Sequence, residues 1–183
     1  MKNISRRTFL KSGAAATAAA AAFPLSAGAA APNTGNSTVS PLCITQYGPV
    51  QGKEQGDHLV WYGIPYGAAP VGDARWHAPQ EPAPWSDPLD CTSPAPAAYQ
   101  FSSAPLGSED CLRLDVYAVP SAHDRPVLVY LHGGNNQTGS SLSLPGGDLV
   151  ENDHCVFVSV NYRLGLFGFN CLPALCPAAD DTG

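Results

Sequence analysis

The apolar positions of this chain come in short runs cut by glycine and proline, with no sustained helical period after the first thirty residues. Val127-Leu128-Val129-Tyr130-Leu131 is a nearly unbroken apolar run that stops at His132-Gly133-Gly134, which predicts a buried parallel strand entering a tight turn. Val156 to Val160 predicts a second buried strand. Leu112-Arg113-Leu114-Asp115-Val116-Tyr117 alternates, which predicts a strand with one apolar face. Upstream, Ile44 to Gly52 reads as two strand pieces around a turn, and His58-Leu59-Val60-Trp61-Tyr62 as the strand that answers them. Ala69 to Pro84 is too rich in proline for regular structure; Trp61, Tyr62, Trp76 and Trp85 are read as its packing anchors rather than as ligand platforms. A short helix is expected near Leu149, and none longer than two turns. The expected class is α/β: an N-terminal antiparallel meander, then the first strands of a mixed central sheet, with the helices that should cover such a sheet largely missing.

The first residues lie outside this pattern. Ser5-Arg6-Arg7-Thr8-Phe9-Leu10-Lys11 precedes an alanine-dominated stretch, Gly13 to Ala22, and a small-residue end at Ala27-Gly28-Ala29. This is the layout of a twin-arginine export signal, so residues 1–29 are assigned to the signal, 30–42 to a flexible lead-in and 43–183 to the domain. The apolar stretch is too short and alanine-rich for a stable membrane anchor, and the expected destination is the periplasm or the medium. Removing the signal takes Lys2, Arg6, Arg7 and Lys11, leaving five cations against fifteen anions, a net charge of −10. So acidic a domain has no basic stripe for nucleic acid and favours a neutral or cationic small molecule.

Six cysteines, at 43, 91, 111, 155, 171 and 176, allow fifteen complete pairings. Cys155 opens an apolar run and reads as a buried thiol, while Cys171 and Cys176 are near enough in sequence to pair. His58, His77, His123, His132 and His154 show no close ligand spacing with one another or with the cysteines, and Met1 is the only methionine, so neither metal nor cofactor is expected.

The chemistry centres on the turn at His132. A glycine turn at the carboxyl end of a sheet strand can leave peptide N–H groups unpaired and aimed at one small volume, where they stabilise an oxyanion formed in acyl transfer. A plain strand-to-loop break is the alternative. The wider succession favours chemistry: Gly63-Ile64-Pro65-Tyr66, Pro70-x-Gly72-x-x-Arg75-Trp76, Trp85, Ser108-Glu109-Asp110-Cys111-Leu112, His132-Gly133-Gly134 with Gly139-Ser140-Ser141, and Asn161-Tyr162-Arg163-Leu164-Gly165-x-x-Gly168-Phe169. In this order they resemble the N-terminal third of the type-B carboxylesterases, the α/β-hydrolase family that includes the cholinesterases. That resemblance implies a carboxylic ester hydrolase working through a serine nucleophile, a histidine base and an acidic residue. It places the oxyanion donors at Gly134 and Asn135, supported by Gly133, and implies an Arg75–Glu109 ion pair. Asn135 departs from the family's glycine or alanine but keeps its N–H and tolerates unusual backbone angles. His132 is read as structural. Arg113 stands where the family has tyrosine or threonine and is expected to face solvent. Ala98 stands where the partner of Cys111 would be, which leaves Cys91 as a displaced candidate for pairing with Cys111.

The pentapeptide Gly-x-Ser-x-Gly of a nucleophile elbow occurs nowhere in the 183 residues. Ser140 and Ser141 are expected to bond within their loop. Asp180-Asp181-Thr182-Gly183 resembles the family's approach to its first long helix, so serine, acid and base are expected beyond Gly183. The chain alone is then expected not to hydrolyse esters, and either to be poorly soluble or to depend on a second polypeptide that carries the remainder of the fold; whether a second chain completes it stays open. An exported, non-catalytic binding module on a degenerate hydrolase scaffold is the alternative, favoured if residues 30–183 fold as a stable monomer; oligomeric state stays open.

Overall fold

The computed structural model describes residues 41–120, 122–170, 172 and 174. Strands β1 (Leu42–Ile44) and β2 (Pro49–Gln51) run antiparallel around a turn in which Thr45 and Gly48 bond each other, and β5 (Leu89–Asp90) adds in parallel to β2. β3 (Lys53–Gln55) and β4 (His58–Pro65) form the next hairpin. They belong to a different sheet, so the expected meander divides into two. That second sheet has five strands in the order β3-β4-β8-β10-β9, with β8 at Arg113–Ala118, β9 at Val127–Leu131 and β10 at Val156–Val160. β6 (Gln100–Phe101) and β7 (Pro105–Leu106) make a small separate hairpin. β10 lies antiparallel to β8 and parallel to β9, which gives the mixed sheet.

The parallel step is spanned by α1 (Gly147–Asp153), the one α-helix among the described residues. His154, left-handed at φ 53°, ends it. Val150 of α1 packs with Val60, Tyr62, Tyr117, Cys155 and Phe157 into one core cluster. Tyr117 and Phe157 are each at most 2% exposed, and burying a side chain of this size stabilises by about 1.5–3 kcal/mol. A second cluster joins Trp61 to Val50, Cys91 and Ala118, with Trp85 partly buried against it. Trp61, Tyr62 and Trp85 therefore serve as core.

Two strand expectations need correction. β9 is not buried: Val127, Leu128, Val129 and Leu131 are 61%, 49%, 57% and 66% exposed. Among the described residues it is an edge strand, paired on one side only, and Tyr130 is its one side chain packed against the core cluster. β10 buries only alternate residues, Phe157 and Ser159. In β8 the polar position is not the solvent face, because Asp115 is 1% exposed. A bulge in the β4–β8 ladder between Trp61 and Ile64 frees the Gly63 N–H, which donates to Asp115 Oδ1 at 2.8 Å.

Candidate active site

β9 delivers the chain to His132, whose ring is 3% exposed and stacks on Tyr162 at 4.4 Å and 15°. Its Nδ1 lies 2.9 Å from the Gly133 carbonyl, and the Tyr162 hydroxyl donates to the His132 carbonyl. The ring is thus held by one stacked face and by Nδ1, while its Nε2 has no hydrogen-bond partner among the described residues. The chain then turns sharply. Gly134 has φ 123°, and Asn135 and Asn136 follow in the left-handed region at 56° and 59°. The Gly134 carbonyl accepts from Gln137 N at 3.0 Å and Thr138 N at 3.1 Å, and the Asn136 carbonyl accepts from Gly165 N at 2.7 Å. A Cβ at Gly134 would stand 1.9 Å from the Thr138 oxygen, so only glycine fits. The carbonyls are thus taken up while the N–H groups are not: among the described residues no acceptor reaches the N–H of Gly134 or Asn135, and both residues are exposed. Successive free N–H groups in a turn form an anion-binding concavity.

The turn is held by residues that carry no motif of their own. Gln100, 8% exposed, accepts from Gly139 N at 2.9 Å and donates to the Gly139 carbonyl at 2.8 Å and to Ala98 at 3.0 Å. Its side-chain amide pairs with Gly139 as a neighbouring strand would. Gly139 itself, at φ 119°, allows no side chain, since a Cβ would meet His132 Nδ1 at 2.3 Å. Ser141 is then locked from β10: its N–H donates to Asn161 Oδ1 at 2.8 Å, its carbonyl accepts from Ser159 Oγ at 2.6 Å, and its hydroxyl accepts from Asn161 Nδ2 at 3.1 Å. A hydroxyl so engaged on a residue 2% exposed belongs to the framework. Ser140 N bonds Ser143 within the loop. Beneath them, burial pushes the Asp115 carboxyl above its ordinary value, while the Ser141 hydroxyl and the Gly63 N–H pull the other way. Asp115 Oδ2 has no conventional partner among the described residues. Neither Gln100 nor Asp115 was a sequence candidate, because an isolated glutamine and a strand carboxylate look like surface residues.

The structure brings Arg75 and Glu109 together in a bidentate pair, Nε to Oε2 at 2.5 Å and Nη2 to Oε1 at 2.6 Å. Arg113 does not face free solvent as expected; it donates to Asp110 at 2.7 Å and to the Gly63 carbonyl at 3.2 Å, tethered beside the β4 bulge. Cys91 and Cys111 are also corrected. Both are buried free thiols, in separate clusters, Cys91 with Trp61 and Cys111 with Ala98 and Leu164. Burial pushes both up to about 11, which keeps them as inert thiols at neutral pH. Cys171 and Cys176 lie outside the described residues. Next to the turn opens a groove of about 620 Å³ whose walls include Asn135, Gln137, Tyr99, Phe101, Phe167 and Phe169.

A mixed sheet whose parallel edge strand runs into a glycine turn with free N–H groups is the N-terminal part of an α/β-hydrolase. The chain belongs to the carboxylesterase family, whose profile matches residues 39–174. It is 37% identical over 152 residues to the para-nitrobenzyl esterase of Bacillus subtilis, covering 77% of this chain and 31% of that protein. It is likewise 37% identical over 138 residues to Esterase B1 of Culex pipiens, covering 69% and 26%. Among solved structures, a thermophilic PNB esterase superposes with a TM-score of 0.70 at 37% identity, over 77% of this chain and 32% of that one. The chain thus spans about a third or less of the relatives it matches. Residues 3–23 match the twin-arginine translocation signal, which directs the chain out of the cytoplasm, to the periplasm or the medium. No helix among the described residues is long and apolar enough to cross a membrane.

Proposed function

We propose that this chain supplies the oxyanion-stabilising side of a carboxylic ester hydrolase acting on small neutral esters, with Gly134 and Asn135 as donors, and that serine, acid and base come from sequence outside these 183 residues. The observation that carries this is the exposed pair of unpaired N–H groups at the end of β9, held by Gln100 and Gly139 in a conformation that costs energy to maintain. A developing negative charge on an ester carbonyl is what such groups suit, and removing one donor of this kind costs about 10²–10³ in rate where it operates. Signal removal after Ala29 leaves a strongly acidic domain without affinity for nucleic acid, and no cofactor enters the reaction.

The test is to incubate the purified chain with an activated ester and with a serine-directed phosphonate, then to read both turnover and adduct mass. Neither phosphonate-sensitive turnover nor an adduct on residues 30–183 is expected. A phosphonate on any serine of the chain would place the nucleophile inside it and overturn the division of labour.

A further inference from the structure

We propose, on the reading of the Gly134–Asn135 turn as an oxyanion site, that His132 is a positioning residue whose Nδ1–H grips the peptide that carries the Gly134 donor. A peptide unit is planar, so fixing its carbonyl aims its N–H in the opposite direction. The Gly133 carbonyl and the Gly134 N–H belong to one such plane, and His132 Nδ1 lies 2.9 Å from that carbonyl oxygen. A carbonyl can only accept, so Nδ1 carries the proton and donates. The second donor peptide is held differently. Its carbonyl, that of Gly134, accepts from the backbone N–H groups of Gln137 and Thr138 at 3.0 and 3.1 Å. Each free N–H thus sits on a peptide gripped from behind, that of Asn135 by main chain and that of Gly134 by the ring of His132.

The ring is itself set in place. One face stacks on Tyr162, whose hydroxyl donates to the His132 carbonyl, and Gly139 closes the Nδ1 edge, where a Cβ would come within 2.3 Å of that nitrogen. His132 is 3% exposed, yet its Nε2 is buried with no hydrogen-bond partner among the described residues. An unpaired buried polar atom costs stability. A ring needed only for packing would therefore serve better as phenylalanine, which fills the same place without that nitrogen. What phenylalanine lacks is the Nδ1–H. Donation to a carbonyl also polarises the peptide behind it, which strengthens the N–H at its other end by roughly 10–30%. His132 thus sets both the direction and the strength of the Gly134 donor.

The test follows the amide and imidazole NMR signals of the isotope-labelled chain as methylphosphonate is added. His132→Phe keeps the stack on Tyr162 and removes both ring nitrogens. Its melting temperature is expected to hold or rise, while methylphosphonate affinity falls roughly two- to tenfold. The Gly134 amide shift at saturation should shrink, with that of Asn135 unchanged. His132→Asn places an amide N–H where Nδ1 stands but forfeits the ring, so it is expected to lose stability and to restore the Gly134 response. Stability and response then move in opposite directions, which a purely structural histidine would not produce. An affinity and a Gly134 shift untouched by His132→Phe would overturn the proposal, as would a folded His132→Asn that leaves Gly134 unresponsive. Ring signals of the unaltered chain need no variant to fold, and a proton on Nε2 with none on Nδ1 would overturn it equally. Silence of both amides toward methylphosphonate in the unaltered chain would instead overturn the oxyanion reading on which it rests.

Discussion

β9 and the loop that follows it are neighbours in sequence and opposites in completeness. From Val127 to Leu131 nearly every apolar side chain faces solvent, and one backbone edge has no partner strand among the described residues. From His132 to Ser141 the chain is fastened at almost every step, by Tyr162, Gln100, Gly165, Asn161 and Ser159, all within the described residues. The geometry of the turn is therefore self-contained. Among the described residues the strand takes its register from β10 alone, and of its side chains Tyr130 packs onto the core cluster while the other four stay exposed.

Substitutions can test how sharp that contrast is. Gly139→Ala forces a Cβ against His132 and a residue with a side chain into φ 119°; overpacking and backbone strain together should cost about 3 kcal/mol or more, read by denaturant unfolding. If it were tolerated, the loop would be far looser than drawn. Gln100→Ala strips both backbone groups of Gly139 of their partner and should cost about 2 kcal/mol by the same measurement. Asp115→Asn should act in the other direction. Because folding raises the Asp115 value above the ordinary 3.8, the carboxyl favours the fold when protonated; that contribution is whole below 3.8 and is lost as pH rises through the raised value. The asparagine variant can still accept from Gly63, so it should gain about 1 kcal/mol at neutral pH and lack the decline. Thermal unfolding across about pH 4 to 7 would show it, and parallel curves for the two proteins would contradict a buried carboxylate. Val129→Lys on β9 should change unfolding free energy by less than about 0.5 kcal/mol while lowering light scattering in concentrated solution, since lysine blunts an open edge. A large loss of stability there would mean that β9 is covered after all.

The sequence made the fold class legible through runs that end in glycine or proline, and through motifs whose order matches a family. Burial was harder to read. Val127 to Leu131 has the same text whether helices cover it or not, so composition pointed inward while the strand lies at an edge. Alternation in β8 placed Leu114 and Val116 on one face correctly but left Asp115 looking like a surface residue; the Gly63 N–H that receives it comes from a bulge fifty residues earlier, invisible to a local pattern. Gln100 escaped for the same reason, since its partner Gly139 lies 39 residues away. Arg113, expected in solvent because it replaces the family's tyrosine or threonine, is instead bound by Asp110 three residues before it. The cysteines show the limit of counting: an available neighbour in sequence does not place two thiols in one cluster.

The parallel pairing of β9 with β10 also leaves a signature in time. In an edge strand of this kind, successive peptide groups point alternately toward the partner and away from it. Deuterium from heavy water should therefore enter Val127 to Leu131 in two populations, one amide slow and the next fast along the strand. A single short segment would then report both the sheet it belongs to and the side on which that sheet stays open.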